Sequence, residues 1–175
     1  MVAHGTKATW FIVSDIIGKR AHWIDGTDQQ TKILSVEQLG EMVRAGMEIG
    51  AHSRTHADLS AIDSAAVEAE VTGSRTQLAD LLACDIKSFA YPYGRWNQHA
   101  VDSVAAAGYD FACSVRPGWV DQDLGPLLLR RVTVFDHDTA TTLARKLVLA
   151  SNDVGWKMLG GYASRVISAR LRRST

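Results

Sequence analysis

The sequence predicts an α/β fold built on a parallel sheet or barrel. Three observations carry that prediction. Short apolar runs rich in aromatic and β-branched residues recur along the chain, and they read as strands buried on both faces. Helix signatures, opened by a capping residue, alternate with these runs. The alternation is closely spaced and has neither internal repeats nor low-complexity linkers, as parallel strands joined by helical crossovers require.

Ala8-Thr9-Trp10-Phe11-Ile12-Val13 is the first strand, and a long polar loop runs from Ser14 to about Ile33. Ser35-Val36-Glu37-Gln38 is a capping box, in which the Ser hydroxyl and the Gln amide satisfy helix-start groups. Leu39, Met42 and Val43 form that helix's apolar stripe, and Gly46 stops it. Met47 to Gly50 is a short strand. Ser60-Ala61-Ile62-Asp63 opens the next helix in the same style, with Val67, Val71, Leu78, Leu81 and Leu82 along one face. Ser88 to Tyr91 is a strand ended by Pro92-Tyr93-Gly94. Asn97 caps a helix whose Val101, Val104 and Ala105 point inward, and Gly108 closes it. Tyr109 to Val115 is another strand, and Leu127 to Phe135 a further one, although Arg130-Arg131 interrupts it. Thr139 caps a helix carrying Leu143, Leu147 and Val148.

A chain of 175 residues suits one domain, here residues 1–150, followed by a tail over 151–175. In the tail, Trp156, Leu159, Tyr162, Val166 and Ile167 form a stripe, and five basic residues face only Asp153. It reads as a terminal helix whose arginines complement its dipole, or as an interfacial or partner-binding amphipathic helix. Net charge is zero, so no global field draws the chain to nucleic acid or a membrane. No apolar run reaches the about 18 residues a membrane span needs. Cys84 and Cys113 lack metal or disulfide spacing and read as small buried hydrophobes. Met1 to Gly5 has no secretory pattern, which points to the cytoplasm if Met1 is the true start.

Glu48-Ile49-Gly50-Ala51-His52-Ser53-Arg54-Thr55-His56 is the most informative stretch. If the segment after Ile49 turns helically, His52 and His56 share a face and can address one object. Imidazole is the commonest transition-metal ligand, and two imidazoles with a carboxylate form an open, catalytically useful site. In α/β folds the chemistry sits at the C-terminal ends of strands, and this loop, the Pro92-Tyr93-Gly94 turn and the segment after Phe135 all lie at such ends. Pro92 and Gly94 make a rigid turn able to aim the Tyr93 N–H into a cleft, where it could hold an oxyanion. Trp96 beside it could stack on a ligand or pack in the core.

Ala8-Thr9-Trp10-Phe11, Glu48 to His56, Phe89-Ala90-Tyr91-Pro92-Tyr93-Gly94 and Ala107-Gly108-Tyr109 occur in order and at fitting distances. Together they resemble the polysaccharide deacetylases (NodB-homology domain, carbohydrate esterase family 4), from roughly Gly5 to Leu149. The resemblance implies a distorted (β/α) barrel and metal-dependent hydrolysis of acetamido groups on an N-acetylated polysaccharide or oligosaccharide, or less often of acetyl esters. His52 and His56 look like metal ligands, with zinc the default and cobalt or manganese also fitting. Tyr93 looks like the backbone oxyanion donor, and Pro92, Gly94 and Trp96 like substrate-side residues. Ser53 and Thr55 look like residues that orient the imidazoles. A late histidine is usually the general acid, and His137 is the candidate here.

The departures are specific. Family members carry, on a strand before the A-T-x-F-F strand, a T-F-D-D-G-like motif whose aspartates are the base and the third metal ligand. Seven residues precede Ala8, and none is Asp or Glu, so the barrel is expected to be N-terminally incomplete. Ala90 stands where many members have an arginine that pairs with the base. Asp15, Asp110 and Asp136 read as caps or ion-pair partners, and Asp58 as a cap of the next segment, rather than as substitutes. Two functions stay open: a metal-dependent deacetylase, and a degenerate domain that binds glycan or a partner without catalysis.

Overall fold

The structure is a computed structural model that describes residues 4–21, 32–120 and 125–153. Its four strands are β1 (Thr9–Ile12), β2 (Glu48–Ala51), β3 (Ser88–Ala90) and β4 (Phe111–Cys113). Its helices are α1 (Val36–Arg44), α2 (Ser64–Leu82), α3 (Gln98–Ala106) and α4 (Ala140–Leu149). The strands form one sheet in the order β1-β2-β3-β4, parallel throughout. Each parallel step needs a crossover, and α1, α2 and α3 supply the three. The α/β fold with a parallel sheet is thus the one the alternation predicts.

Side-chain alternation builds the core. Ile49 and Ala51, Phe89 and Tyr91, and Ala112 pack with Leu39 of α1, Val67, Val71 and Leu78 of α2, and Val104 of α3. On the opposite face Gly50 is required by proximity. A Cβ there would fall 2.6 Å from Ser88 Oγ and 2.7 Å from the Phe11 ring.

Two capping predictions hold in detail. Ser35 and Gln38 form both halves of the capping box of α1, and Thr139 and Thr142 do the same for α4. Asn97 caps α3 through Ala100 N–H. For α2 the cap is Asp63 rather than Ser60. Ser60 instead donates to the Asp58 carboxylate, in a turn that ends before the helix begins. Leu81 is exposed at the end of α2, and in α3 Ala100 takes the inward place expected of Ala105.

Leu127 to Phe135 is not a strand. Pro126–Leu128 is a 3-10 turn, Leu129 makes a single parallel bridge to Cys113, and residues 130–135 are irregular. Pro126 removes a donor, and the paired arginines interrupt the apolar run.

The chain divides into two compact units: Met1–Ser114 with Gln122–Leu129, and Val115–Asp121 with Arg130–Thr175. The first holds the sheet. In the second, α4 turns Lys146 inward and leaves Leu147 and Val148 exposed, contrary to the expected stripe. The tail stripe from Trp156 onward lies outside the described residues. Among the described residues no helix is long and apolar enough to cross a membrane.

Candidate metal and catalytic site

Parallel strands align their C-terminal ends, so the segments after β1, β2 and β3 share one rim. His52 is the first residue past β2. Its N–H donates to Ile12 O at 2.8 Å, which carries the β1–β2 ladder beyond the strand end. Ser14 N–H to Ser53 O and Asp15 N–H to Arg54 O, 3.2 and 2.9 Å, continue it. On the other side, His52 Nδ1 lies 2.6 Å from the carbonyl oxygen of Ala90, the last residue of β3. A carbonyl only accepts, so Nδ1 carries the proton, and in the neutral ring Nε2 presents its lone pair.

The His52–His56 segment is not a helical turn. Ser53 and His56 are left-handed, with φ 63° and 67°. That turn, rather than helical periodicity, brings the imidazoles together, edge to face with ring centroids 4.8 Å apart. Ser53 is fully buried, and its Oγ accepts from His56 N–H at 3.0 Å. Thr55 Oγ1 donates to Glu70 Oε1 at 2.8 Å. Ser53 and Thr55 therefore brace the loop itself, while the Ala90 carbonyl orients the His52 ring.

The Pro92–Gly94 turn closes through Gly94 N–H to Tyr91 O and Arg95 N–H to Pro92 O, 2.9 and 3.0 Å. Tyr93 sits at φ 56°, ψ 6°, a region costly for a residue with a Cβ. Its ring meets His56 edge-on at 4.6 Å, and the Arg95 guanidinium lies 5.7 Å from the same ring centroid. Arg95 also bonds Asp58 at 2.6 Å, joining this turn to the histidine loop. The Ser60 hydroxyl first, and Arg95 second, hold the Asp58 carboxyl below the usual carboxylate range. Besides two helix C-caps, Ala83 and Ala150, every non-glycine residue at positive φ among the described residues lies in this site: Ser53, His56 and Tyr93. Backbone strain of this kind collects where surroundings over-determine geometry, commonly at functional sites.

The imidazoles border a cavity of about 360 Å³ whose other walls include Ile12, Val13, Ile16 and Leu34. Two neighbouring imidazoles, one with its tautomer set by a carbonyl, suit a borderline-soft divalent ion. Among the described residues no group of three or more His, Cys, Asp or Glu comes together to hold a metal. Asp15 pairs with Arg54 at 3.0 Å, and Asp58 with Arg95 and Ser60. Asp15 is thus an ion-pair partner, as read from the sequence, and Asp58, read there only as a cap, is one too. Trp96 is half-buried against the hydrophobic core, and Pro92 is buried. His137 belongs to the second unit. Its exposed ring stacks on Phe135 at 5.4 Å, and its Nδ1 lies 3.2 Å from Asp136 Oδ1.

Glu70, Arg95 and the second role of Asp58 escape the sequence reading. Their partners lie 15 and 37 residues away, and no local pattern marks them.

The site is thus a pair of histidines at the C-terminal rim of a parallel α/β sheet. The polysaccharide deacetylase family model matches residues 1–112, and the chain belongs to that family. It is similar to YxkH of Bacillus subtilis (strain 168), provisionally named a polysaccharide deacetylase, with 27% identity over 131 residues. That match covers 75% of this chain and 43% of YxkH. Among solved structures it resembles the Streptococcus pyogenes deacetylase PplD in complex with acetate (TM-score 0.71, 22% identity, covering 82% of this chain and 59% of that one). It also resembles a polysaccharide deacetylase from Bacillus cereus (TM-score 0.65, 26% identity, 79% and 40%). The chain thus spans about 40 to 60% of the relatives it matches.

Proposed function

We propose that the chain forms the metal- and oxyanion-binding part of a deacetylase acting on N-acetyl groups of a polysaccharide or oligosaccharide, with residues 1–150 as its deacetylase domain. The observation that carries this reading is the His52–His56 pair, with rings 4.8 Å apart at the strand rim and His52 fixed by Ala90 O. His52 and His56 would hold a divalent ion, with zinc first and cobalt or manganese next. When bound, such an ion supplies Lewis-acid polarisation and lowers the pKa of water. The Tyr93 N–H, in its rigid turn, is assigned to the oxyanion that develops when an acetamide carbonyl is attacked. Pro92 and Gly94 hold that turn. Trp96 is assigned to the sugar side.

A second reading, a non-catalytic glycan- or partner-binding domain, is favoured by one observation. The nearby Asp15 and Asp58 carboxylates are already engaged by Arg54 and Arg95. Zinc titration of the whole chain tests the metal pair: His52→Ala is expected to abolish uptake, and equal zinc content in the variant would sink the ligand assignment. Acetate release from chito-oligosaccharide selects the enzyme, whereas oligosaccharide binding without acetate release selects the second reading.

A further inference from the structure

We propose that Glu70, on α2, is the positioning residue that holds the strained histidine loop in its ligand-presenting shape. The inference rests on the reading of His52 and His56 as a metal pair. Arg54 and Thr55, the residues between the two left-handed positions Ser53 and His56, both donate their N–H to Glu70 Oε2, each at 2.9 Å. Thr55 Oγ1 adds a bond to Oε1 at 2.8 Å, so both carboxylate oxygens are used on one short loop segment. Successive amides turned to one side make an anion-binding concavity, and here the anion is a side chain of the protein itself. Charge-assisted bonds of this kind are the strong ones.

The strain explains why such a clamp is needed. A non-glycine residue at φ above 60° persists only when its neighbours leave it no alternative. Ser53 Oγ fixes His56 N–H from within the loop, and Glu70 fixes the two intervening residues from outside. Without Glu70, Arg54 and Thr55 lose three bonds, and the turn that brings the imidazoles to 4.8 Å is no longer over-determined. Helix α2 does not depend on this contact, because Val67, Val71 and Leu78 anchor it in the core and Asp63 caps it. The Arg54 side chain separately reaches Asp15. Loss of Glu70 is therefore expected to loosen the loop while sparing the fold.

The experiment measures zinc affinity, and the visible spectrum of the cobalt(II) form, for the full chain and its variants. Glu70→Ala is expected to weaken zinc binding about 10- to 100-fold, as loss of an outer partner of metal ligands does. Glu70→Gln, whose amide oxygen still accepts from the two N–H groups, is expected to recover most of that loss. Glu68→Ala, an exposed change on the same helix, is expected to bind as the parent does. Parent-like affinity and an unchanged cobalt spectrum in Glu70→Ala overturn the inference. Should Glu70→Ala fail to fold, Thr55→Val decides: it removes the Oε1 bond alone, is expected to weaken zinc binding several-fold, and overturns the inference if it does not. A parent chain that takes up no zinc overturns the metal reading itself, and the role of Glu70 with it.

Discussion

Helices α2 and α4 each present one face to an interior, but the interiors are of different kinds. In the first unit α2 buries Val67, Val71 and Leu78 to zero exposure against a cluster that includes Phe89 and Tyr91. In the second unit α4 buries Lys146, which is 3% exposed. Its ammonium lies 2.6 Å from Asp138 Oδ2 and 3.1 Å from Thr133 O, with the Phe135 ring centroid at 4.5 Å. An apolar interior loses stability in proportion to the contacts removed. An ionic one fails on loss of either partner, because the surviving charge stays buried without compensation. A short α/β domain can hold both kinds, and they respond to different perturbations.

The largest effect is expected from the apolar side. Leu78→Ala should destabilise the first unit by about 2–5 kcal/mol, as fully buried leucines do. Urea unfolding, read by tryptophan fluorescence, measures it, and a change below 1 kcal/mol would show that the cluster around Phe89 and Tyr91 relaxes freely.

The ionic side should respond to pH where the apolar side does not. The Lys146 ammonium, followed by the Phe135 N–H, holds the Asp138 carboxyl down at about 2, below its ordinary 3.8. A carboxyl lowered in the folded state binds fewer protons there. Its contribution is therefore complete above about 4 and is lost as pH falls toward about 2. Lys146→Met should destabilise the second unit at neutral pH and flatten stability against pH between 4 and 2. Pairing it with Asp138→Leu should restore much of the loss, since no charge is then stranded. Circular dichroism melts across that range compare parent, single and double variants, and parallel pH curves for parent and Lys146→Met would defeat the account.

The smallest effect tests what the two helices share. Asp63→Ala and Thr139→Ala each remove a side-chain acceptor at a helix start and should cost about 1 kcal/mol. Similar costs in denaturant melts would place the difference between the units in their interiors rather than their helix ends, and a cost far larger at one cap would erase that contrast.

The alternation of apolar runs and caps specifies the parallel sheet, because strand burial and helix capping are local and leave residues at fixed spacings. The same logic failed at two places. Leu127 to Phe135 has the composition of a strand, but forms only the Leu129 bridge to Cys113. Leu147 and Val148 have the composition of a buried stripe, but Lys146 finds Asp138 and takes the interior. At the first, Pro126 and Arg130-Arg131 break the run, and at the second a charge partner eight residues away decides, which an apolar pattern does not record. The histidine pair shows the same division. Its residue types were legible in the sequence, whereas the helical turn expected to align them is a left-handed loop instead.

The sequence by itself determined the strand–helix alternation, the caps at Ser35, Asn97 and Thr139, and the family-like motifs around His52 and Pro92-Tyr93-Gly94, because each depends on residues within a turn or two of one another. Tertiary structure alone decided that Ala90 O orients His52, that Glu70 clamps the loop, that Arg95 ties Tyr93 to Asp58, and that a lysine fills the interior beside α4. Those contacts join residues 8 to 38 positions apart. Hydrogen-bond geometry at that separation exists only once the fold around each pair has set the distances.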